Sequence, residues 1–131
     1  MPTDDIDRYY EKHSIYRSII ICDTEETAME MIMELQEKDY ALCSILDVDL
    51  ADERPLYMNT LREFQTSMYR VLVITYWVFL HMPDVIQSLV LPHQNLVIYY
   101  NLDNCVSQVV SEWLQDSQRA GFVEVLNILS V

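Results

Sequence analysis

Asp23 follows the apolar run Ser18-Ile-Ile-Ile-Cys22, and Asp47 and Asp49 follow Tyr40-Ala-Leu-Cys-Ser-Ile-Leu46. Carboxylates gathered at strand ends are the makings of an acidic pocket that accepts a phosphoryl group. That chemistry also needs a lysine at the end of a late strand to pair with the acyl phosphate. The only lysines, Lys12 and Lys38, lie in the first third of the chain. The acids therefore read as loop residues that cap helices. His13, His81 and His93 have no Cys, Asp or Glu partner at metal-ligand spacing. Cys22, Cys43 and Cys105 form no C-x-x-C pair and read as reduced, buried thiols, neither a disulfide frame nor a zinc site. No G-x-S-x-G elbow, H-E-x-x-H pair or Walker motif is present. No catalytic residue, metal or cofactor is expected.

Composition narrows the classes further. A loop that wraps phosphate needs glycine so that backbone N–H groups can approach the anion, and the chain has one glycine, Gly121. Twenty-one acidic residues against eight basic ones leave a net charge of −13. Affinity for nucleic acid comes largely from Lys and Arg at phosphates, so this surface should repel RNA and DNA. The acidity reads first as solubility, with recruitment of a basic partner as the alternative. No apolar run reaches the roughly 20 residues a membrane span requires, and the polar N-terminus MPTDDIDRYYEKH resembles no targeting peptide. The expectation is one domain, residues 1–131, in the cytosol or nucleus.

The elements that would position these residues follow from periodicity. A helix is predicted over 3–13 with Thr3 as cap, then a strand at Tyr16–Cys22. Asp23 or Thr24 caps the next helix, although Thr24 with Thr27 does not read as a capping box. Ala28, Met31, Ile32 and Leu35 mark its buried face. Met29 and Met33, one turn apart on a flank, are either partly buried or a soft contact surface. Tyr40–Leu46 is a strand, and a helix with Pro55 in its first turn runs to Phe64. Arg70–Thr75 is a third strand, followed by an apolar and partly helical segment, Trp77–Leu91, broken at Pro83. Asn95–Tyr100 is a strand, Cys105–Gln118 a helix with Val106, Val109, Val110 and Trp113 on one face, and Phe122–Leu129 the last strand. Alternation of this kind predicts an α/β fold with a mostly parallel sheet and helices on both faces.

Three stretches then stand in a telling order: Ser18-Ile-Ile-Ile-Cys-Asp-Thr24, Leu61-Arg-Glu-Phe64 just ahead of Arg70-Val-Leu-Val-Ile-Thr75, and Asn95-Leu-Val-Ile-Tyr-Tyr-Asn-Leu102. They resemble the second RecA-like lobe of DEAD-box RNA helicases. That lobe opens on an apolar run and C/S-N-T, carries K-E-F ahead of R-V-L-I-x-T, and continues with V-I-N-Y-D-L-P. The resemblance covers nearly all of 16–131 and implies a RecA-like three-layer sandwich. Its departures fall on the family's chemistry. The family's H-G after the second strand is Asp47-Val48 here, and its Q-x-x-R element has only Arg54 or Arg62 nearby. Its D and A-R-G-x-D, which contact RNA and nucleotide, give way to Tyr76-Trp77-Val-Phe-Leu80. Its H-R-x-G-R-x-x-R falls on Glu112-Trp113-Leu114-Gln115-Asp116-Ser117-Gln118-Arg119, where only Arg119 survives. An arginine finger stabilises charge on a transferring phosphoryl group, and Trp113 and Asp116 cannot. The companion lobe with the Walker-type loop is outside these residues, so a lone lobe is implied, as a small protein or as the start of a longer one.

The layout is also similar to the N-terminal helicase C-like domain of Yb-type Tudor-domain germline proteins, which implies a cytoplasmic scaffold in piRNA biogenesis, in ribonucleoprotein granules. The expected function is a catalytically inactive lobe serving as a protein-interaction or self-association module. Its partner would be itself, as a homodimer or higher, or another protein, with no direct nucleic acid and no membrane. Tyr76, Trp77, Phe79, Leu80, Met82 and Trp113 are the expected contact residues at the carboxyl edge of the sheet, because interfaces favour aromatic anchors. Two alternatives stand beside this. These side chains fold inward to fill the space a nucleotide would take, or the lobe retains weak nucleotide or RNA binding. A third, an acidic mimic of nucleic acid, predicts salt-sensitive binding to a basic protein.

Overall fold

The computed structural model describes residues 2–12, 17–46, 59–64, 69–81, 95–119 and 123–128. The chain opens with helix α1 (Pro2–Lys12). It begins one residue earlier than predicted because proline, lacking an N–H, suits a helix's first turn. Thr3 therefore sits inside the helix, fully buried, and does not cap it. Strand β1 (Ser18–Cys22) is followed by α2 (Glu25–Glu37), β2 (Leu42–Ile45) and β3 (Val71–Thr75). Residues 59–64 are helical and are called α3. Helix α4 (Tyr76–His81) follows β3 without a break. Strand β4 (Asn95–Tyr100), helix α5 (Asn104–Arg119) and strand β5 (Val123–Ile128) complete the described chain.

The strands form one sheet in the order β2-β3-β1-β4-β5, with every neighbouring pair parallel. Strand β1 lies at the centre, Ser18 opposite Val71 on one side and Leu96 on the other. A strand bonded on both edges and covered on both faces has no use for polar alternation, which explains three consecutive isoleucines. Ile19 and Ile21 join Leu72, Ile74, Val97 and Tyr99 on one face, under Leu61 and Phe64 of α3, Val78 and Phe79 of α4, and Val110 and Leu114 of α5. Ile20 and Cys22 join Val71, Val73, Leu96, Ile98 and Tyr100 on the other, under Ile6 of α1 and Ala28, Met31, Ile32 and Leu35 of α2. This is the expected RecA-like α/β sandwich, with helices on both faces. The step from β1 to β2 runs one way along the sheet with α2 on one face. Later steps run the other way with their helices on the opposite face, so the crossovers obey one handedness.

Helix α2 is tightly closed at both ends. Thr24 Oγ1 accepts from Thr27 N at 3.2 Å, and Thr27 Oγ1 accepts from Thr24 N at 3.2 Å. This is a reciprocal capping box, against the expectation: a threonine hydroxyl at the third position accepts the bond as Glu or Gln usually does. At the other end Asp39 adopts φ 60, with Tyr40 N bonding Leu35 O at 3.0 Å and Asp39 N bonding Gln36 O at 3.1 Å. That left-handed closure is normally glycine's.

The amino edge of the sheet gathers much of the positive charge and occupies it internally. Lys38 Nζ donates to Asp4 and to Asp7 at 2.7 Å each, and the Tyr40 hydroxyl also donates to Asp7. Burial alone would raise the Asp7 pKa, but the hydrogen bonds from Lys38 and Tyr40 outweigh it and hold the carboxyl below its ordinary value. The Arg70 guanidinium lies 4.6 Å from the Tyr10 ring centre and 5.7 Å from that of Tyr40. Arg17 lies 5.3 Å over Phe64 and donates to its carbonyl at 2.9 Å.

Candidate functional site

In a parallel α/β sheet, a ligand crevice opens at the carboxyl ends of strands whose neighbours send their helices to opposite faces. Strand β1 sends α2 to one face, while β3 and β4, on either side of it, send α4 and α5 to the other. The crevice is therefore bounded by Asp23–Thr24, Thr75–Tyr76 and Asn101–Asp103.

Among the described residues, three helix N-termini open onto this edge, and each is capped by a side chain of the chain itself. At α2, Thr24 provides the cap, and Asp23 Oδ1 accepts from Thr24 N at 2.9 Å and from Thr27 Oγ1 at 2.5 Å. At α4, Thr75 Oγ1 accepts from Val78 N at 3.2 Å while donating to Leu46 O at 3.1 Å. At α5, Asp103 Oδ1 accepts from Val106 N at 2.8 Å. A phosphate at a helix N-terminus needs free N–H donors and the positive end of the dipole. Here one such donor in each first turn, Thr27 N, Val78 N and Val106 N, already serves a Thr or Asp oxygen. Among the described residues leaving β1, β3 and β4, the formally charged ones nearest the strand ends are acids: Asp23, Glu25, Glu26 and Asp103. Asn101, with φ 58, turns the chain after β4 and bonds Ile128 O through its N–H at 2.9 Å. Strand β3 passes into α4 with no intervening loop, so the position where a ligand loop would stand is helix.

The residues expected to form a contact surface separate. Trp77 (54% exposed) and Leu80 (45%) face solvent on α4, and the Trp77 ring lies 4.2 Å from that of His81. His81 Nδ1–H donates to Trp77 O at 2.8 Å, which fixes the ring against the helix. Tyr76 is half-buried against the core. Phe79 is 1% exposed and belongs to the core, so it follows the inward alternative and is no surface anchor. Trp113 is exposed but lies two and a half turns into α5, about 13 Å from its start at 1.5 Å per residue. It is therefore away from the carboxyl edge, contrary to the expectation. Met82 lies outside the described residues, as do Asp47 and Asp49 of the acidic pocket considered above.

The thiols are poor nucleophiles where the structure encloses them. Burial, reinforced by the Asp23 carboxylate, pushes the Cys22 thiol up to about 12. Burial and Glu63 push Cys43 up to about 12 as well. Cys105 is exposed, against the buried reading. No group of three or more His, Cys, Asp or Glu able to hold a metal occurs among the described residues, and no helix among them is long and apolar enough to cross a membrane. Thr75 and Asp103 were not singled out from sequence. The available signal was a Thr or Asp standing immediately before a helical run.

No protein-family model matches the chain, and no curated protein does. Among solved structures it is similar to the solution NMR structure of a de novo designed protein of P-loop NTPase fold, at 18% identity and a TM-score of 0.49, over 86% of this chain and 79% of that one.

Proposed function

We propose that the chain is a RecA-like lobe without phosphate chemistry that works as a protein-interaction module, associating through α4 at the carboxyl edge. The observation that carries this reading is the self-capping of the three described helix N-termini at the crevice by Thr24 with Asp23, Thr75 and Asp103. An anion arriving there would have to displace carboxylates as well as break those bonds. Beside the closed crevice stand Trp77 and Leu80, exposed on a helix whose Val78 and Phe79 are locked in the core. A rigid, half-exposed tryptophan is the kind of anchor that dominates binding energy at interfaces. The lobe is a pseudoenzyme in this reading. The resemblance to helicase lobes and to the Yb-type domain supplies its setting, a scaffold in cytoplasmic silencing granules of the germline.

Sedimentation velocity over a concentration series tests self-association directly. The parent should associate, and Trp77→Asp should weaken association by at least about tenfold, as loss of a hot-spot residue does. Calorimetric titration with ATP should show no heat of binding. A parent that stays monomeric throughout, or a clear ATP isotherm, would overturn the reading.

A further inference from the structure

Helix α2 lies on the sheet face opposite α4, and its outer surface has a composition that the carboxyl edge does not explain. Met29 is 46% exposed and Met33 60%, one turn apart on the side away from Ala28, Met31, Ile32 and Leu35. The helix carries five glutamates, Glu25, Glu26, Glu30, Glu34 and Glu37, all but Glu34 beside the methionines, and it contains no Lys or Arg. Glu26, Glu30 and Glu34 follow one another at i, i+4, a spacing at which like charges repel. Glu34 is half-buried, and burial first of all holds its carboxyl above the ordinary value.

Nearby cations relieve this only in part, Lys38 drawing the Glu34 carboxyl down without offsetting its burial. Arg8 on the adjoining α1 pairs with Asp5 at 2.6 Å, and Lys38 at the end of α2 pairs with Asp4 and Asp7 at 2.7 Å each. The helix thus presents a soft apolar ridge beside carboxylates in excess of the cations near them. Methionine is unbranched and polarizable, and it adapts to varied apolar partners.

The geometry points to a docking surface on α2 for a basic amphipathic helix of a partner protein, its apolar side chains on Met29 and Met33 and its Lys or Arg side chains on the flanking glutamates. Charge complementarity selects this occupant. A second copy of the chain brings the same net charge of −13 and the same five glutamates, so a symmetric α2-to-α2 contact would set acids against acids. A bare polycation would match the glutamates but leave the methionines wet. The apolar-plus-basic pattern at i, i+3, i+4 and i+7 satisfies both.

The test uses a synthetic 18-residue Leu/Lys peptide with leucines at helical spacing and, as control, a scrambled peptide of the same composition. Calorimetry against the whole chain should give binding that weakens with salt, and NMR should show the Met29 and Met33 methyl signals shifting on titration. The double variant Met29→Ser, Met33→Ser should bind about tenfold or more weakly. Glu26→Gln with Glu30→Gln should reduce both the affinity and its salt dependence. Trp77→Asp should leave peptide binding unchanged, so this surface and the carboxyl edge stand or fall separately. The proposal is overturned by equal affinity for the scrambled peptide, by unshifted methionine methyls, by wild-type affinity in the Met double variant, or by loss of binding in Trp77→Asp.

Discussion

At the scale of single residues, the chain solves with other side chains what most chains leave to glycine. Asp39 and Asn101 take left-handed backbone conformations, φ 60 and φ 58, in a sequence whose one glycine is Gly121. Asn and Asp tolerate that region because a short polar side chain can bond locally, but a Cβ there still costs energy. Asp39→Gly should therefore raise the free energy of unfolding by about 0.5–1 kcal/mol, net of the greater freedom glycine has when unfolded. Urea denaturation would measure it, and a destabilised variant would show that the Asp39 carboxylate makes a contact worth more than the strain. The residue scale is also where sequence reading was weakest. Thr75 looks like the last residue of a strand, and only the structure shows that its hydroxyl is also the first bond of a helix. Thr27 likewise escaped because the capping signature is written for longer side chains.

At the scale of elements, α4 divides the apolar run Tyr76–Leu80 between core and solvent. Phe79→Ala should cost about 3–5 kcal/mol, because it empties a closed volume in the core on that face of the sheet. Trp77→Ala should cost far less, about 0.5–1 kcal/mol, since the indole gives up little more than its contact with His81. Chemical denaturation of the two variants side by side checks the division, and similar losses would mean that Trp77 packs inward as well. Sequence placed the element but could not orient it. A helical face is legible through contrast between apolar and polar positions, and Tyr-Trp-Val-Phe-Leu offers almost none. Helix α2 shows the opposite case: Ala28, Met31, Ile32 and Leu35 stand out against glutamates and are the residues found buried. Strand β4 was legible from end to end for the same reason, an apolar segment between polar boundaries.

At the scale of the molecule, charge is distributed against compactness. Acids stand with threonines at the helix N-termini of the carboxyl edge and line the outside of α2, whereas Lys38, Arg17 and Arg70 at the amino edge are held by neighbouring side chains or carbonyls. With a net charge of −13, general repulsion should exceed the few local attractions. Raising NaCl from about 10 mM to about 500 mM, which shortens the Debye length from about 30 Å to under 5 Å, should therefore raise the melting temperature by several degrees. Differential scanning calorimetry would read it, and a fall would mean that the ion pairs of the amino edge outweigh the repulsion. The sheet topology was only partly legible, since periodicity identified the parallel strands but not that β1 sits between β3 and β4.

That central position has a consequence for how the protein is made. The segment Ile19–Cys22 is the most apolar strand, yet both of its partners lie far downstream, the nearer one about 50 residues later. At a ribosome's pace of about 5–20 residues per second, it must wait several seconds before a partner has even been synthesised. During that interval three isoleucines in sequence are open to any other nascent chain. A cell making this protein quickly would need a chaperone to hold its first strand, and slowing elongation would not help until β3 had emerged.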